Sequence, residues 1–320
     1  MTMQESMADR IKWFVSVDKL RVCLNISDER YDYLKNYHTR YDELNNYRIL
    51  DEDDFYLIFI DEDEQGMTAV LNVHDFDGDF KLGTFTFNST DKYKGKAFFS
   101  FENQALYKVF LKLGDGEPHN YICDLQYVCD YYGLTFNNIT EIEIAFDSNY
   151  NYISKLRRMI KNTDRYDLYL NGKKVKNDET LDGYGEYYKR SREKLSKLPT
   201  LYFSQAKDTD MKMRIYDKAK ELKEHSPHKM QRLKEWLGWD NMDKLYRVEV
   251  VMHNTNVREF CERYGELLFY EYGEHANILS LLGRLDCRLA MFFDCTNRMI
   301  YFRDKTTNEK ISLMNIAPGI

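Results

Sequence analysis

The chain has 320 residues, of which 43% are hydrophobic and 31% charged, and its formal net charge is −7. This composition is typical of a globular protein and excludes an intrinsically disordered chain. The negative charge argues against sequence-independent binding of nucleic acid. No apolar run approaches the ~20 residues of a membrane helix, and the N-terminus lacks the pattern of a signal peptide, so we expect no membrane attachment. The six cysteines form no CxxC pair, and we expect reduced thiols in a cytoplasm.

The charge is unevenly distributed along the chain. Residues 151–220 contain 18 Lys and Arg against 10 Asp and Glu, a balance of +8, whereas the rest contains 28 against 43, a balance of −15. A basic middle segment in an acidic chain indicates a phosphate-bearing partner. A solvated charged surface explains the same counts, so the charge alone leaves both interpretations open.

Hydrophobic periodicity and turn residues predict helices and strands in alternation. The N-terminal half predicts a helix over 27–44 capped by Ser27, strands at 55–61, 67–74, 80–88 and 96–103, and a helix over 123–134. The second half predicts a strand at 139–147, a helix over 153–162, a hairpin at 166–175 with its turn at Asn171-Gly172, strands at 200–205, 211–218 and 245–253, and helices over 229–239 and 257–273. The basic stretch 185–197 is either a helix or a mobile loop. This order predicts an α+β fold with a largely antiparallel sheet, flanked by helices and followed by a mixed C-terminal region.

Three of the predicted strands carry charged side chains at alternating positions. Alternate residues of a strand share a face, so ITEIEIAFD, MKMRIYDK and LYRVEVVMH each have one apolar face and one charged face. The charged faces hold Glu141, Glu143, Asp147, Lys212, Arg214, Tyr216, Lys218, Arg247, Glu249 and His253. If the strands are neighbours, carboxylates suited to Mg²⁺ or Mn²⁺, cations suited to phosphate and one phenol come together. Cross-strand ion pairs that only stabilise the sheet are the alternative.

The same three strands resemble those of a known family in their order and their sequence motifs. ITEIEIAFD, then TLYFSQ and MKMRIYDKAKEL, then LYRVEVVM resemble the replication initiation factor family (Rep_trans), the rolling-circle initiators of plasmids, phages and conjugative elements. The resemblance covers roughly residues 96–265, and RIYDK is its most specific piece. Ser204 stands where the family has glycine, the following basic residue is displaced to Lys207, and that segment is one residue longer. The chain also lacks the His-hydrophobe-His triplet of the larger histidine-dependent initiator group.

The resemblance implies a role for each of these side chains. Tyr216 would be the nucleophile, with Arg214 and Lys218 as further catalytic residues. A Mg²⁺ or Mn²⁺ ion would be held by acidic residues of the charged faces, namely Glu143, Asp147 and, as a weaker candidate, Glu249. DNA would be bound by Arg247, Lys212 and Lys207. A tyrosine side chain has a reference pKa of about 10, so only roughly one in a thousand is ionised at pH 7, and nearby positive charge favours the phenolate.

The implied function is origin-specific nicking and closing of one DNA strand through a tyrosine 5′-phosphodiester. The catalytic domain would span 1–265, with two sub-sheets divided near residue 135, and 266–320 would serve DNA recognition or dimerisation. The implied partners are an origin hairpin that is single-stranded at the nick, a host helicase and polymerase, and a second copy of the chain, in the bacterial cytoplasm. The alternatives are a conjugative relaxase, a non-catalytic DNA-binding regulator of the same fold, and an unrelated structural protein.

Overall fold

The computed structural model describes most of the chain in separate stretches. They are residues 11–36, 40–42, 47–63, 66–75, 78–88, 90, 92–103, 105–106, 121–176, 200–204, 211–237, 239, 242–272 and 278–316. The predicted basic stretch 185–197 and the candidate DNA-binding residue Lys207 lie outside these residues.

Strands predominate in the first half of the described chain, and most of the described helices lie in its second half. The helices are α1 (Asp28–Asn36), α2 (Tyr121–Tyr132), α3 (Tyr152–Lys161), α4 (Lys218–His225), α5 (Pro227–Leu237), α6 (Asn254–Tyr272), α7 (Ile278–Leu281) and α8 (Leu285–Met299). The strands are β1 (Trp13–Asn25), β2 (Arg40–Asp42), β3 (Tyr47–Asp51), β4 (Phe55–Asp63), β5 (Gly66–Asp75), β6 (Gly78–Asn88), β7 (Lys96–Phe101), β8 (Thr135–Ser148), β9 (Tyr166–Leu170), β10 (Lys173–Lys174), β11 (Leu201–Ser204), β12 (Lys212–Asp217), β13 (Tyr246–His253), β14 (Ile300–Asp304) and β15 (Lys310–Ser312). The predicted α+β fold with a largely antiparallel sheet is confirmed.

The chain divides into two compact units, and two of the four boundaries fall inside strands β1 and β8. The first unit comprises residues 1–16, 143–271 and 284–320, and the second comprises 17–142 and 272–283. The predicted division near residue 135 lies close to the boundary between Ile142 and Glu143. The functional division into 1–265 and 266–320 stays a prediction, although residues 284–320 belong to the same unit as 143–271.

The second unit is built on a sheet in which β7, β6, β5, β4, β3 and β2 follow one another as antiparallel neighbours. Beyond β7, its order continues through the parts of β1 and β8 that belong to this unit. Alternating apolar residues form its core, including Phe85, Phe87 and Phe99, whose rings contact one another. A larger residue does not fit at position 83, because a Cβ added to Gly83 would lie 2.4 Å from the carbonyl oxygen of Ser100.

The first unit contains the predicted charged strands. In its main sheet the order is β11, β12, β13, then the unit's parts of β8 and β1, and β11, β12 and β13 are joined by antiparallel pairing. Phe146 of β8 lies in the core, where its ring contacts Trp13, Tyr152 and Phe292. Helix α3 buries its apolar stripe, as its 3.6-residue periodicity predicts.

A smaller antiparallel sheet in the first unit has the order β10, β9, β14, β15. The predicted hairpin between β9 and β10 is confirmed. Its turn residues Asn171 and Gly172 have φ of 49° and 75°, the left-handed conformation that Asn-Gly adopts at a tight hairpin turn. Strand β14 comes from the distant C-terminal part of the chain, for which the sequence predicted only a mixed region.

Several predicted boundaries are corrected. The helix predicted over 27–44 ends at Asn36, although Ser27 Oγ does accept from the backbone N–H of Arg30 at its start. Residues Arg40–Asp42 form β2 instead, because they pair with β3 in a hairpin that a helical period cannot reveal. Strand β1 was not predicted at all. In the described part of the chain, no helix combines the length and the hydrophobicity needed to cross a bilayer.

Asp304 ties the end of β14 to the residue before β9. Its carboxylate accepts from Arg165 Nε at 2.9 Å and from the backbone N–H groups of Thr306 and Thr307 at 2.8 and 3.3 Å. The hydrogen bond from Arg165 and those from the two backbone groups lower the pKa of Asp304 below its ordinary value. The charged form is therefore favoured in the folded state.

We expect Asp304→Asn to destabilise the protein at pH 7. A lowered carboxyl pKa stabilises the fold above the pKa of the unfolded state, about 3.9, and that stabilisation is lost as pH falls through the folded-state pKa. The difference in urea midpoint between the native protein and the variant should therefore be full at pH 7 and shrink below about pH 4. Asp164→Asn, at an exposed carboxylate in the preceding turn, is the control and should shift the midpoint little. A difference that grows on acidification would contradict this account.

Candidate active site

Strand pairing brings the predicted charged residues of β12 and β13 into direct contact. Arg214 lies opposite Glu249, and Tyr216 lies opposite Arg247. On the other side of β12, Arg214 lies opposite Tyr202 of β11. Directly opposed residues of an antiparallel pair point to the same face, so these side chains meet on one side of the sheet.

The charged face is buried over much of its area. Glu143 is 8% exposed, Glu249 1%, and Asp147 and Arg247 are both at 0%. The sequence pattern suggested an apolar face and a charged face on each strand, and an exposed charged face would have been the ordinary outcome. Burial of charge is costly unless each group is paired, so the partners of these residues decide what the site can do.

Arg247 and Asp147 form a fully buried, two-pronged ion pair. Arg247 Nε donates to Asp147 Oδ1 at 2.8 Å and Nη2 donates to Oδ2 at 2.7 Å. Arg247 Nη1 also lies 3.8 Å from Glu249 Oε2. The planar guanidinium matches the carboxylate in geometry, which makes the pair strong and rigid. Because Asp147 uses both oxygens in this pair, it is less suited to holding a metal ion than the other two acidic candidates.

Arg214 bridges Glu143 and Glu249. Its Nη2 donates to Glu143 Oε1 at 2.7 Å and also to Glu249 Oε1. A carboxylate oxygen of Glu143 lies within 4.8 Å of one from Glu249. Two buried carboxylates this close repel each other unless a positive charge lies between them, and the guanidinium provides that charge. The Arg214 side chain is nevertheless 42% exposed, so a phosphate can reach it.

Tyr216 donates its hydroxyl hydrogen to Glu249. The distance from Tyr216 Oη to Glu249 Oε2 is 3.1 Å. Two cations lie close to the ring, with Arg214 Cζ 5.9 Å and Lys218 Nζ 5.7 Å from its centroid. A phenol that donates to a carboxylate able to accept its proton, with two cations close to the ring, has the arrangement of a nucleophile paired with a base.

Lys218 reaches the site from a helix and not from a strand, which corrects the strand predicted over 211–218. Strand β12 ends at Asp217, whose Oδ1 accepts from the backbone N–H of Lys220 at 2.9 Å and so caps α4. Lys218 is therefore the first residue of that helix, and its Nζ lies 2.7 Å from Glu221 Oε2. The capping aspartate turns the chain immediately after the tyrosine and places the lysine over its ring.

An open cleft of about 340 Å³ borders these residues. Arg214 and Tyr216 line it from β12, Tyr202 lines it from β11, and four residues of α4 between positions 220 and 225 complete the lining. Its lining consists of Thr200, Tyr202, Arg214, Tyr216, Asp217, Lys220, Glu221, Glu224 and His225. Sequence reasoning identified the two residues of β12 but missed Tyr202 and the rim of α4, because nothing in a local pattern shows which strand or helix will flank another.

The remaining candidates differ in their accessibility. Lys212 is exposed at the start of β12, where it lies opposite Val251, so a phosphate can reach its side chain. Arg247 has no exposed surface, so its described position is suited to holding Asp147 in place and not to contacting DNA.

Glu143 and Glu249 have the chemistry of a site for Mg²⁺ or Mn²⁺. They offer carboxylate oxygens, the donors that these hard cations prefer, within a short distance of each other. Their closeness needs a compensating positive charge, and a divalent cation can supply it as Arg214 does. The residues present therefore fit such an ion.

Comparisons with known proteins find little that is close to this chain. No protein-family model matches it, and no curated protein matches it. Among solved structures it is similar to a rolling circle replication initiator protein from Geobacillus stearothermophilus, with a TM-score of 0.38 and 14% sequence identity, covering 80% of this chain and 80% of that chain. At this level the similarity does not establish a shared fold or function.

Replacing Arg247 should show how strongly the buried carboxylate of Asp147 destabilises the fold when it has no partner. Arg247→Met leaves Asp147 buried without its guanidinium, so we expect the free energy of unfolding to fall by about 3–5 kcal/mol. The control is Lys223→Ala, which breaks an ion pair with Asp243 in the same unit whose side chains are 53% and 72% exposed, and which should cost less than about 1 kcal/mol. Urea denaturation of both variants measures the two values. Equal losses would show that the buried pair carries no special weight.

Proposed function

We propose that the chain is a rolling-circle-type initiator that nicks and rejoins one strand of DNA, with Tyr216 as the nucleophile. The observation that carries the proposal is the hydrogen bond from the Tyr216 hydroxyl to Glu249, made at the border of an open cleft and flanked by Arg214 and Lys218. It supports a phenol poised to lose a proton where a phosphate can approach. The resemblance of RIYDK and the strands around it points to the same residue.

In the proposed reaction Tyr216 attacks a phosphodiester. Its oxygen forms a bond to phosphorus as the bond from phosphorus to the 3′-oxygen breaks, and the phenolic proton passes to Glu249 Oε2. The 3′-oxygen leaves and takes a proton from water, and the hydroxide formed takes the proton held by Glu249, so the products are a 5′-phosphotyrosine and a free 3′-hydroxyl. The reverse attack by a 3′-hydroxyl rejoins the strand. The free 3′-hydroxyl can also prime synthesis by a host polymerase.

The cations of the site hold and neutralise the phosphate. Arg214 is partly exposed beside the tyrosine and presents planar donors that suit phosphate oxygens. Lys218 adds a second positive charge over the ring. A Mg²⁺ or Mn²⁺ ion held by Glu143 and Glu249 would supply further positive charge to a phosphoryl oxygen. In this proposal Asp147 and Arg247 act as positioning residues that keep β8 and β13 aligned.

The proposal extends to the partners of the chain. The DNA partner is an origin hairpin that is single-stranded at the nick, and Lys212 and Lys207 contact its backbone. A host helicase separates the strands, and a second copy of the chain supplies a second tyrosine, in the bacterial cytoplasm. A conjugative relaxase would use the same chemistry to start transfer, and a non-catalytic regulator would bind the DNA without cutting it.

Covalent capture of DNA identifies the nucleophile. The full chain is incubated with Mn²⁺ and 3′-labelled single-stranded oligonucleotides that tile the DNA around its own gene, and the complexes that survive denaturing electrophoresis are measured. Tyr216→Phe should lower capture by several orders of magnitude, because it removes the attacking oxygen. Tyr202→Phe removes a second phenol bordering the same cleft and should retain capture. A chelator should abolish capture by the native protein.

The outcomes separate the alternatives. Capture that persists in Tyr216→Phe, or peptide mapping of the DNA to another residue, contradicts the assignment. Binding of the oligonucleotides without any capture by the native protein supports the non-catalytic regulator. No binding to any of them at low salt supports the unrelated structural protein. Capture by itself does not distinguish replication from conjugative transfer, which the genes beside this one would reveal.

Glu249→Gln tests Glu249 as the proton acceptor, at Mn²⁺ concentrations raised until the rate no longer increases, so that weaker ion binding by the amide does not limit the rate. The amide keeps the shape of the side chain but takes up a proton far less readily, so the rate of capture should fall by about a hundredfold to ten-thousandfold. The control is Glu224→Gln, at an exposed glutamate on the rim of the cleft, which should change the rate less than about tenfold. Single-turnover time courses at saturating oligonucleotide give both rates. A rate that Glu249→Gln leaves unchanged would remove this residue from the mechanism.

A further inference from the structure

The small sheet of the first unit presents two adjacent rows of polar and aromatic side chains on one face. The first row runs across the strands as Lys174, Tyr169, Tyr301 and Ser312, each directly opposite the next. In the second row, Asp167, Arg303 and Lys310 lie opposite one another in turn. The alternate residues Leu168, Leu170, Ile300 and Phe302 are buried on the reverse face. Only the first face is therefore available to a partner.

Two tyrosines form the centre of this face. The rings of Tyr169 and Tyr301 are stacked, with centroids 4.7 Å apart and planes 9° from parallel. Lys310 Nζ lies 4.4 Å from the centroid of Tyr301, as a cation over an aromatic ring. Lys310 is an exposed residue on a short strand, so its long side chain can leave the ring for another partner at small cost.

Cations surround the stacked tyrosines. Lys174 and Lys310 are exposed, and Arg303 is partly exposed. The acidic residue in these rows is Asp167, whose carboxylate lies 2.7 Å from Lys174 Nζ and 3.5 Å from Lys305 Nζ. The nearby Asp304 is buried in its own ion pair, and Glu309 lies in the turn before β15. Strands β9 and β10 also belong to the segment 151–220, whose balance is +8 in a chain of net charge −7.

We propose that this tyrosine face, defined as Tyr169, Tyr301, Lys174, Arg303 and Lys310, binds single-stranded nucleic acid. Bases stack on the tyrosine pair, with Lys310 moving from the ring to a phosphate, and Lys174 and Arg303 hold the backbone. Sheets that combine aromatic rings with cations bind single strands in this way, because every base has a face that can stack. The two kinds of side chain on this face match the two parts of a single strand. The rings contact unpaired bases, and the cations contact phosphates.

A single strand fits this face better than a duplex does. Stacking on a tyrosine needs a base whose face is open, and the bases of a duplex are already stacked on each other. The tyrosine face is distinct from the cleft beside Tyr216, so the inference does not depend on nicking chemistry. If both proposals hold, this surface retains the strand while Tyr216 reacts elsewhere on it.

Binding measured without catalysis tests the proposal. The full chain is titrated into fluorescein-labelled oligothymidylate in the presence of a chelator, and fluorescence anisotropy gives the dissociation constant. Tyr169→Thr/Tyr301→Thr keeps residues suited to strands but removes both rings, and it should weaken binding by at least about tenfold. The matched control Tyr169→Phe/Tyr301→Phe keeps the rings and should bind like the native protein. The chelator prevents the metal-dependent nicking, so this measurement separates binding at the tyrosine face from the nicking proposal.

A second pair of substitutions tests the charges. Lys174→Gln/Lys310→Gln should reduce the slope of log affinity against log salt by about 1.4, because each phosphate contact on a single strand contributes about 0.7. These exposed positions should leave the unfolding midpoint nearly unchanged, so this variant remains informative if the threonine variant does not fold. Single-stranded RNA of the same length shows whether the sugar matters, and duplex DNA and heparin show whether charge alone is sufficient.

Cross-linking locates the bound strand on the native chain. An oligonucleotide containing 5-bromodeoxyuridine should cross-link on irradiation to Tyr169 or Tyr301, as identified by peptide mass spectrometry. Cross-links found only at other residues would overturn the proposal. So would a threonine variant that is folded and binds normally, or duplex DNA and heparin that bind as well as the single strand with no effect of the tyrosines. The last result would indicate a polyanion surface without base contacts.

Discussion

The burial of charge on neighbouring strands is the constraint on which the rest of the site depends. Four ionised side chains of β8 and β13 are almost completely removed from solvent. Each of these buried charges would strongly destabilise the folded state if it were unpaired, so the fold requires their partners to be in place. Arg247 satisfies Asp147, and Arg214 satisfies both Glu143 and Glu249. A shift in strand register would break several of these pairs at once, so the ion pairs favour a single alignment of β12 against β13.

This constraint also determines which groups remain available for chemistry. Arg247 and Asp147 are paired through two hydrogen bonds and are buried, so neither is accessible to a ligand. Arg214 and Tyr216 lie further toward the cleft, and both share Glu249. Glu249 therefore links the buried ion pairs to the accessible phenol. The inner part of the network maintains the position of the outer part, which is where a phosphate would react.

The first unit combines two different ways of meeting a nucleic-acid strand. The cleft offers a phenol, a carboxylate and cations, which suit the making and breaking of a phosphodiester bond. The tyrosine face offers stacked rings and lysines, which suit holding bases and backbone without reaction. Each takes part of its cations from the basic segment 151–220, so a chain of net charge −7 can still present surfaces with local positive charge.

The sequence by itself determined the elements whose signals are local. The alternation of β8, β12 and β13, the Asn171-Gly172 turn and the cap at Ser27 follow from side-chain period and backbone preference, and they were predictable. The resemblance of RIYDK also singled out Tyr216. Tertiary structure alone decided that the charged faces are buried, that Asp147 is taken by Arg247, that Lys218 begins a helix, and that Glu249 accepts from Tyr216. It also joined β9 to β14, bringing Tyr169 against Tyr301. These pairings unite segments far apart in the chain, and their energies depend on contacts and desolvation that no local pattern records.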